Sequence, residues 1–223
     1  LLSYQSQSMR SVLLEVLWCS VILLLQCVTV VCGHHRMIAI GDLHGDLNQT
    51  LSVLRLTGVI DDSKHWIAAD TILVQLGDIL DVGPDDLEIV SLLMHLSEEA
   101  KSNGGMVEQL LGNHEIRNFR GDFTAVNADS LARHGGAEGR QKLLSMDSEL
   151  GSYLRTRNAI FTHGNYLFMH GGLSTSVAEK IGTLHDIENF NSELRRALVS
   201  GEIGPLAQTG LDLNESHINE VQN

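Results

Sequence analysis

Residues 71–81 read TILVQLGDILD. A strand-like apolar run from Thr71 to Leu76 ends at Gly77, and Asp78 and Asp81 follow at once. A strand that ends in glycine and then a carboxylate delivers that carboxylate to the carboxyl edge of a sheet, where ligands of open α/β folds collect. The same grammar recurs on either side. Arg36 to Ile40 leads into Gly41-Asp42-Leu43-His44-Gly45, Met106 to Leu111 into Gly112-Asn113-His114-Glu115, and Tyr166 to Met169 into His170-Gly171-Gly172.

Helical patterns separate the first three of these strands. Leu47, Leu51 and Leu54 recur at helical spacing up to Gly58, and Leu87, Val90 and Met94 share one face of a helix predicted from about Asp85 to Asn103, stopped by Gly104-Gly105. Strands alternating with helices predict an α/β architecture with βαβ crossovers. From Asn118 to about Asn158 a polar, mostly helical insertion is expected. Ala159 to Thr162 and Tyr166 to Met169 then flank His163-Gly164-Asn165, read as a hairpin turn. Helical stretches follow from Ser174 and from about Asp186 to Leu198, and Asn214 to Asn223 reads as a frayed polar tail.

Composition narrows the partners. A net charge of -13 among 223 residues argues against nucleic acid, whose phosphate backbone is held by clustered Lys and Arg. All three cysteines, Cys19, Cys27 and Cys32, precede the first strand, so neither a disulfide framework nor a zinc-thiolate site is available after it.

The four segments carry a ligand inventory for two divalent ions, which need a bridging carboxylate, terminal His and Asp ligands, and an oxygen donor of low charge. Asp42 and His44 can grip one ion, Asp78 is placed to bridge, and Asn113 and His170 can serve the second. Metal coordination lowers the pKa of a water towards neutrality and so provides a hydroxide for in-line attack on phosphorus. An alkoxide leaving group then needs a proton, and a histidine held by a carboxylate, His114 with Asp81, can supply it. Glu115 is expected to fix its loop by accepting backbone hydrogen bonds. His34, His35, His65, His95, His134, His163, His185 and His217 read as surface or turn residues.

In the order and content of these motifs the chain resembles the phosphoprotein phosphatases of the calcineurin-like metallophosphoesterase superfamily, and among them the Shewanella-like Ser/Thr protein phosphatases. The likeness runs from about Met37 to Ser174. It implies a β-sandwich flanked by helices and a centre of two divalent ions of the Mn, Fe or Zn class. It also implies Asp42, His44, Asp78, Asn113 and His170 as metal ligands, with His114 as the acid oriented by Asp81. The implied substrate is a phosphoprotein, through its phosphoserine or phosphothreonine, or a small phosphoester. A catalytically impaired binding relative and a nucleotide phosphoesterase are the alternatives.

The chain departs from that pattern in two places. The motif that contains Asp81 normally continues Arg-Gly, and Val82 stands where that phosphate-binding Arg is expected. A further metal-binding histidine is expected near the C-terminus, but no such segment follows His170: His217 lacks an apolar strand before it, and the family-like Gly204-Pro205-Leu206 runs on into Ala207-Gln208-Thr209. The phosphoesterase domain is therefore assigned to 36–207 and the polar tail to 208–223, with C-terminal strands missing and the second metal site expected to bind more weakly than the first.

Ahead of the domain, Val12 to Cys32 is apolar apart from Glu15, Ser20, Gln26 and Thr29, about the roughly 20 residues that span a bilayer. Met9-Arg10 reads as a true start with a positive flank, which leaves residues 1–8 as an upstream extension. Small residues near Val31-Cys32-Gly33 favour a cleaved signal peptide over a membrane anchor within 1–33. The expected destination is the secretory pathway, as an endoplasmic reticulum lumenal, membrane-attached or secreted product. A C-terminally tagged chain expressed in eukaryotic cells should fractionate with that pathway; recovery wholly from the cytosol with an intact N-terminus would refute the assignment.

Overall fold

The structure, a computed structural model, describes residues 35–173, 175–179 and 181–201. The expected signal segment, His217 and the polar tail lie outside the described residues. Among those described, no helix is long and apolar enough to cross a membrane.

Three parallel strands, β1 (Met37–Ile40), β2 (Ile72–Gln75) and β3 (Met106–Gln109), form a sheet in the order β1-β2-β3. Ile38 stands opposite Leu73 and Leu73 opposite Val107. All four residues of β2 are buried, as expected of a central parallel strand covered on both faces. Leu73 belongs to the main core, whereas Ile72 and Val74 on the opposite face join Leu110 in a second cluster. The period-two geometry of a strand thus divides one apolar run between two cores.

The crossovers are α1 (Leu47–Leu56) and α2 (Asp86–Ser102). Asp46 caps α1 by accepting the Gln49 amide at 2.9 Å. Helix α2 buries Leu87, Ile89, Val90, Leu93, Leu96 and Ala100, and each large apolar side chain so removed from water stabilises the fold by about 1.5–3 kcal/mol. It ends where Gly104 adopts a φ of 79° and the Gly105 amide turns back to the Ala100 carbonyl at 2.8 Å.

The insertion after β3 is helical: α3 (Asn113–Phe119), α4 (Ala128–Arg133), α5 (Gly136–Leu143) and α6 (Glu149–Arg155). An antiparallel hairpin, β4 (Ile160–His163) and β5 (Tyr166–Met169), makes the second sheet. Its Phe161 and Phe168 pack on the second cluster, so the hairpin lies against the face of β2 that carries Ile72 and Val74. The mixed α/β class expected from the sequence is what the chain adopts. The hairpin corrects one reading, because His163 is the last residue of β4, paired with Tyr166, and the turn is Gly164-Asn165 alone. Gly164, at φ 57°, supplies the positive φ that a two-residue hairpin turn requires. Two helices close the described chain, α7 (Thr175–Ala178) and α8 (Leu184–Ser200). Helix α8 begins two residues before the expected Asp186 because Thr183 and Asp186 form a reciprocal capping box.

Arg140 of α5 is fully buried, which its charge forbids unless it is paired. Its Nη2 donates to Asp86 at 2.7 Å and Asp81 at 3.2 Å, and its Nε donates to the Asn118 side-chain oxygen at 2.7 Å. Burial alone would raise the Asp86 carboxyl, but the Arg140 guanidinium and the Ser130 hydroxyl hold it below its ordinary value. A depressed carboxylate contributes stability that is present above its unfolded pKa and lost as pH falls through the folded one. Arg140→Met, which leaves Asp81 and Asp86 without their cation, should therefore cost about 3–5 kcal/mol in urea denaturation at neutral pH. The deficit relative to wild type should shrink as pH falls from the ordinary carboxylate value of about 4 towards the lower pH at which the folded Asp86 protonates. A pH-independent cost of less than about 1 kcal/mol would contradict this account.

Candidate metal centre

Each strand of the parallel sheet ends in a tight loop, and these loops are held together through their backbones. The Leu43 and His44 amides both donate to the Asp78 carbonyl at 3.0 Å, and the Gly83 amide donates to the His44 carbonyl at 2.8 Å. Glycines permit the approach. A Cβ on Gly45 would lie 2.6 Å from the Gly83 carbonyl oxygen, and one on Gly77 would lie 2.6 Å from the Gly112 nitrogen.

Glu115, fully buried on α3, binds two of the loops to each other. One carboxylate oxygen accepts the amides of Asp78 at 2.9 Å and Gly112 at 2.8 Å; the other accepts those of Ile79 at 2.9 Å and Leu80 at 3.1 Å. Burial pushes its carboxyl up, the nearby Asp78 charge adds to that push, and the amides oppose both. The positional role expected of Glu115 is the one its hydrogen bonds describe.

The loops aim their side chains at one point. Asp78 Oδ2 lies 3.3 Å from His170 Nε2, 3.8 Å from His44 Nε2 and 4.0 Å from His114 Nε2. Asp42 lies 3.8 Å from His44 Nε2 and 3.7 Å from His170 Nδ1 through its two oxygens. The Asn113 side-chain oxygen is 3.1 Å from His170 Nε2. All seven residues singled out from the sequence thus fall in one cluster, with Asp81 behind His114, its carboxylate 2.7 Å from His114 Nδ1.

The second nitrogen of each histidine decides what the cluster can do. His44 Nδ1 faces the Leu80 carbonyl at 3.1 Å, and His170 Nδ1 faces the Leu76 carbonyl at 3.0 Å. A carbonyl accepts only, so Nδ1 carries a proton in both rings and each Nε2 is directed beside Asp78, where it can offer a lone pair to an ion once it is deprotonated. That arrangement is how proteins orient metal-binding imidazoles. Ligand atoms of His44, Asp78 and His114 lie within 4.8 Å of one another, compatible with a divalent ion among them.

Charge is concentrated to match. Burial would raise Asp78, but the hydrogen bond from His170 and the His114 amide at 2.9 Å hold its carboxyl below the ordinary range. Burial would lower His170, but its contact with Asp78 and the charge of Asp42 raise the imidazole overall. The Asp81 hydrogen bond raises His114 against its partial burial. Strain marks the same loops: His44, Asp78, Asp81 and Val82 all have positive φ, and at a β-branched residue such as Val82 this is costly. The Val82 turn is held by its amide to the Ala125 carbonyl at 3.0 Å and by Asn127 on its carbonyl at 2.9 Å.

Sequence reasoning missed Arg140, Asn118 and Asp86. Asn118 donates to Asp81 at 2.8 Å and to the His114 carbonyl at 2.9 Å, and Arg140 links Asp81 to Asp86. The only signal was the position of Asn118, one helical turn after His114.

The sequence profile of the family described as Calcineurin-like phosphoesterase matches residues 35–211. The chain is 44% identical over 96 residues to Shewanella-like protein phosphatase 2 of Arabidopsis thaliana, covering 43% of this chain and 25% of that protein. It is 31% identical over 149 residues to Shewanella-like protein phosphatase 1 of Plasmodium berghei, covering 62% of this chain and 41% of that one. Among solved structures, the cold-active protein-tyrosine phosphatase of a psychrophilic Shewanella species superposes with a TM-score of 0.70 at 28% identity, over 78% of this chain and 52% of that chain. The chain spans about a quarter to a half of the length of these relatives.

Replacing Glu115 by Gln turns one of its two acceptor oxygens into a donor facing two amides. The substitution should cost about 3 kcal/mol or more in chemical denaturation, since it breaks charge-assisted hydrogen bonds and leaves buried donors unpaired. Wild-type stability in Glu115→Gln would show that the loops hold without the carboxylate.

Proposed function

This chain belongs to the calcineurin-like phosphoesterase family, and on that premise we propose that it is a phosphatase that hydrolyses phosphomonoesters, phosphoserine and phosphothreonine of proteins first among them. The family uses a dinuclear metal site. Here Asp42, His44, Asp78, Asn113 and His170 would hold the two ions, with Asp78 shared between them. The observation that carries the reading is the pair of carbonyl-bound Nδ1 atoms on His44 and His170, which directs both Nε2 atoms beside Asp78, where each would give its lone pair to an ion in place of a proton. The mixed donor set of imidazole, carboxylate and amide oxygen suits Mn, Fe or Zn. Bound there, two divalent ions would neutralise phosphoryl oxygens and acidify a water.

The protein's own contribution to the chemistry is a placed proton. His114 Nδ1 is held 2.7 Å from Asp81, so its Nε2, 4.0 Å from Asp78, is the nitrogen directed into the centre. The hydrogen bond to Asp81 favours the protonated imidazole and raises His114 above its ordinary value, so it keeps its proton to higher pH than a free imidazole would. An alkoxide leaving from phosphoserine would take it; a phenoxide leaving from phosphotyrosine, the better leaving group, needs it less. Arg140 and Asn118 hold the other oxygen of Asp81, fixing the carboxylate against which the imidazole is aligned. Residues 12–32 support entry of this phosphatase into the secretory pathway, and a membrane-attached form is part of the same proposal.

The discriminating substitution is His114→Asn. It should lower turnover of a phosphoserine peptide by roughly 10²–10⁴-fold and turnover of p-nitrophenyl phosphate much less. Equal losses on both substrates would remove His114 from the role of acid.

A further inference from the structure

A second histidine-rich cluster lies away from this centre. Glu99, on the last turns of α2, receives two imidazoles on the same oxygen: His65 Nδ1 at 2.7 Å and His95 Nε2 at 3.1 Å. His95 and Glu99 are neighbours one helical turn apart, while His65 arrives from the loop that follows α1. Ligand atoms of the three lie within 4.8 Å of one another. Glu99 and Asp86 are 13 positions apart on α2, about 20 Å at 1.5 Å per residue, so the cluster is remote from the Asp81–Arg140 network.

We propose that His65, His95 and Glu99 form a transition-metal site of the Zn2+ class, separate from the dinuclear centre, that fastens the Asp61–Trp66 turn to α2.

Two imidazoles and one carboxylate with an open fourth position are a recognised zinc donor set. In a tetrahedral site with bonds of about 2.0–2.2 Å, ligand atoms stand roughly 3.3 Å apart. The nitrogen–oxygen separations of 2.7 and 3.1 Å need to open by roughly 0.6 and 0.2 Å, and the histidine side chains, 62% and 63% exposed, have room to make that change. Each neutral imidazole moves its proton to its other nitrogen and offers the freed lone pair to the ion, so the donor set carries one negative charge throughout. The carboxylate is already oriented. Its second oxygen accepts the amide of Trp66, a buried residue, at 2.7 Å, and that hydrogen bond is the first cause holding Glu99 below its ordinary value. His65 is placed by its own amide, which donates to the Asp61 carboxylate at 2.9 Å. Supporting hydrogen bonds of this kind orient the ligands of established metal sites.

Equilibrium dialysis of the full chain against Zn2+ tests the site without reference to activity. A His65→Ala/His95→Ala double variant, folded by far-UV circular dichroism, should bind one fewer Zn2+ than wild type and lose part of the Zn2+-induced rise in melting temperature. His95→Gln, at an exposed helical position, should weaken the same ion by about tenfold or more. Asp42→Asn, which alters the dinuclear centre, should leave this ion bound, so failure of the proposed function and failure of this site read differently. Equal Zn2+ stoichiometry and affinity in wild type, the double variant and His95→Gln would overturn the proposal.

Discussion

The buried carboxylate of Glu115 is the constraint on which the rest depends. Four backbone amides from the loops after β2 and β3 converge on it, and none of those amides has a strand to pair with. Loop backbone at a sheet edge normally turns to water; here one side chain takes the place of that water and sets the separation of Asp78 and Gly112. Asp78 can then hold a positive φ, and its carboxylate receives the His114 amide. The geometry of the centre is thus set by backbone hydrogen bonds before any ligand side chain contributes.

A second layer stands behind the His114–Asp81 pair. Asp81 faces His114 with one oxygen and Asn118 and Arg140 with the other. Arg140 reaches on to Asp86, and Ser130 shares that carboxylate. Removing any one partner would leave a buried charge or dipole uncompensated, so the group acts as a unit in a setting of low dielectric. Helices α4 and α5, which supply Ser130 and Arg140, are therefore tied to the His114–Asp81 pair although they contribute no member of the seven-residue cluster.

The sequence disclosed the parallel sheet because each strand is a short apolar run that stops at glycine and an acid or amide, a pattern set by local physics. The helix limits of α2 were legible for a similar reason, since Gly104 must take a positive φ. Composition puts His163 in the turn because turn composition blurs at strand ends, and only its pairing with Tyr166 resolves it. The cluster of Asp42, His44, Asp78, Asn113 and His170 was readable from four motifs together. Arg140 is not, because a lone arginine in a polar helix gives no sign of burial; the carboxylates it pairs with lie 59 and 54 positions away in sequence. His65 and His95 read from sequence only as surface residues for a similar reason: His95 and Glu99 share a helix turn, but His65 reaches Glu99 from 34 positions away.

The glycine contacts between loops have a consequence for how such a centre can change over time. Where Gly45 meets Gly83 and Gly77 meets Gly112, the spacing is fixed by bare main chain, a gauge with no side chain to vary. An exchange among the clustered side chains alters the chemistry of the centre while leaving the gauge intact. An exchange at one of these glycines shifts every ligand at once. Diversity in chemistry is therefore expected to accumulate at the tips of the loops, and invariance at the places where the loops touch.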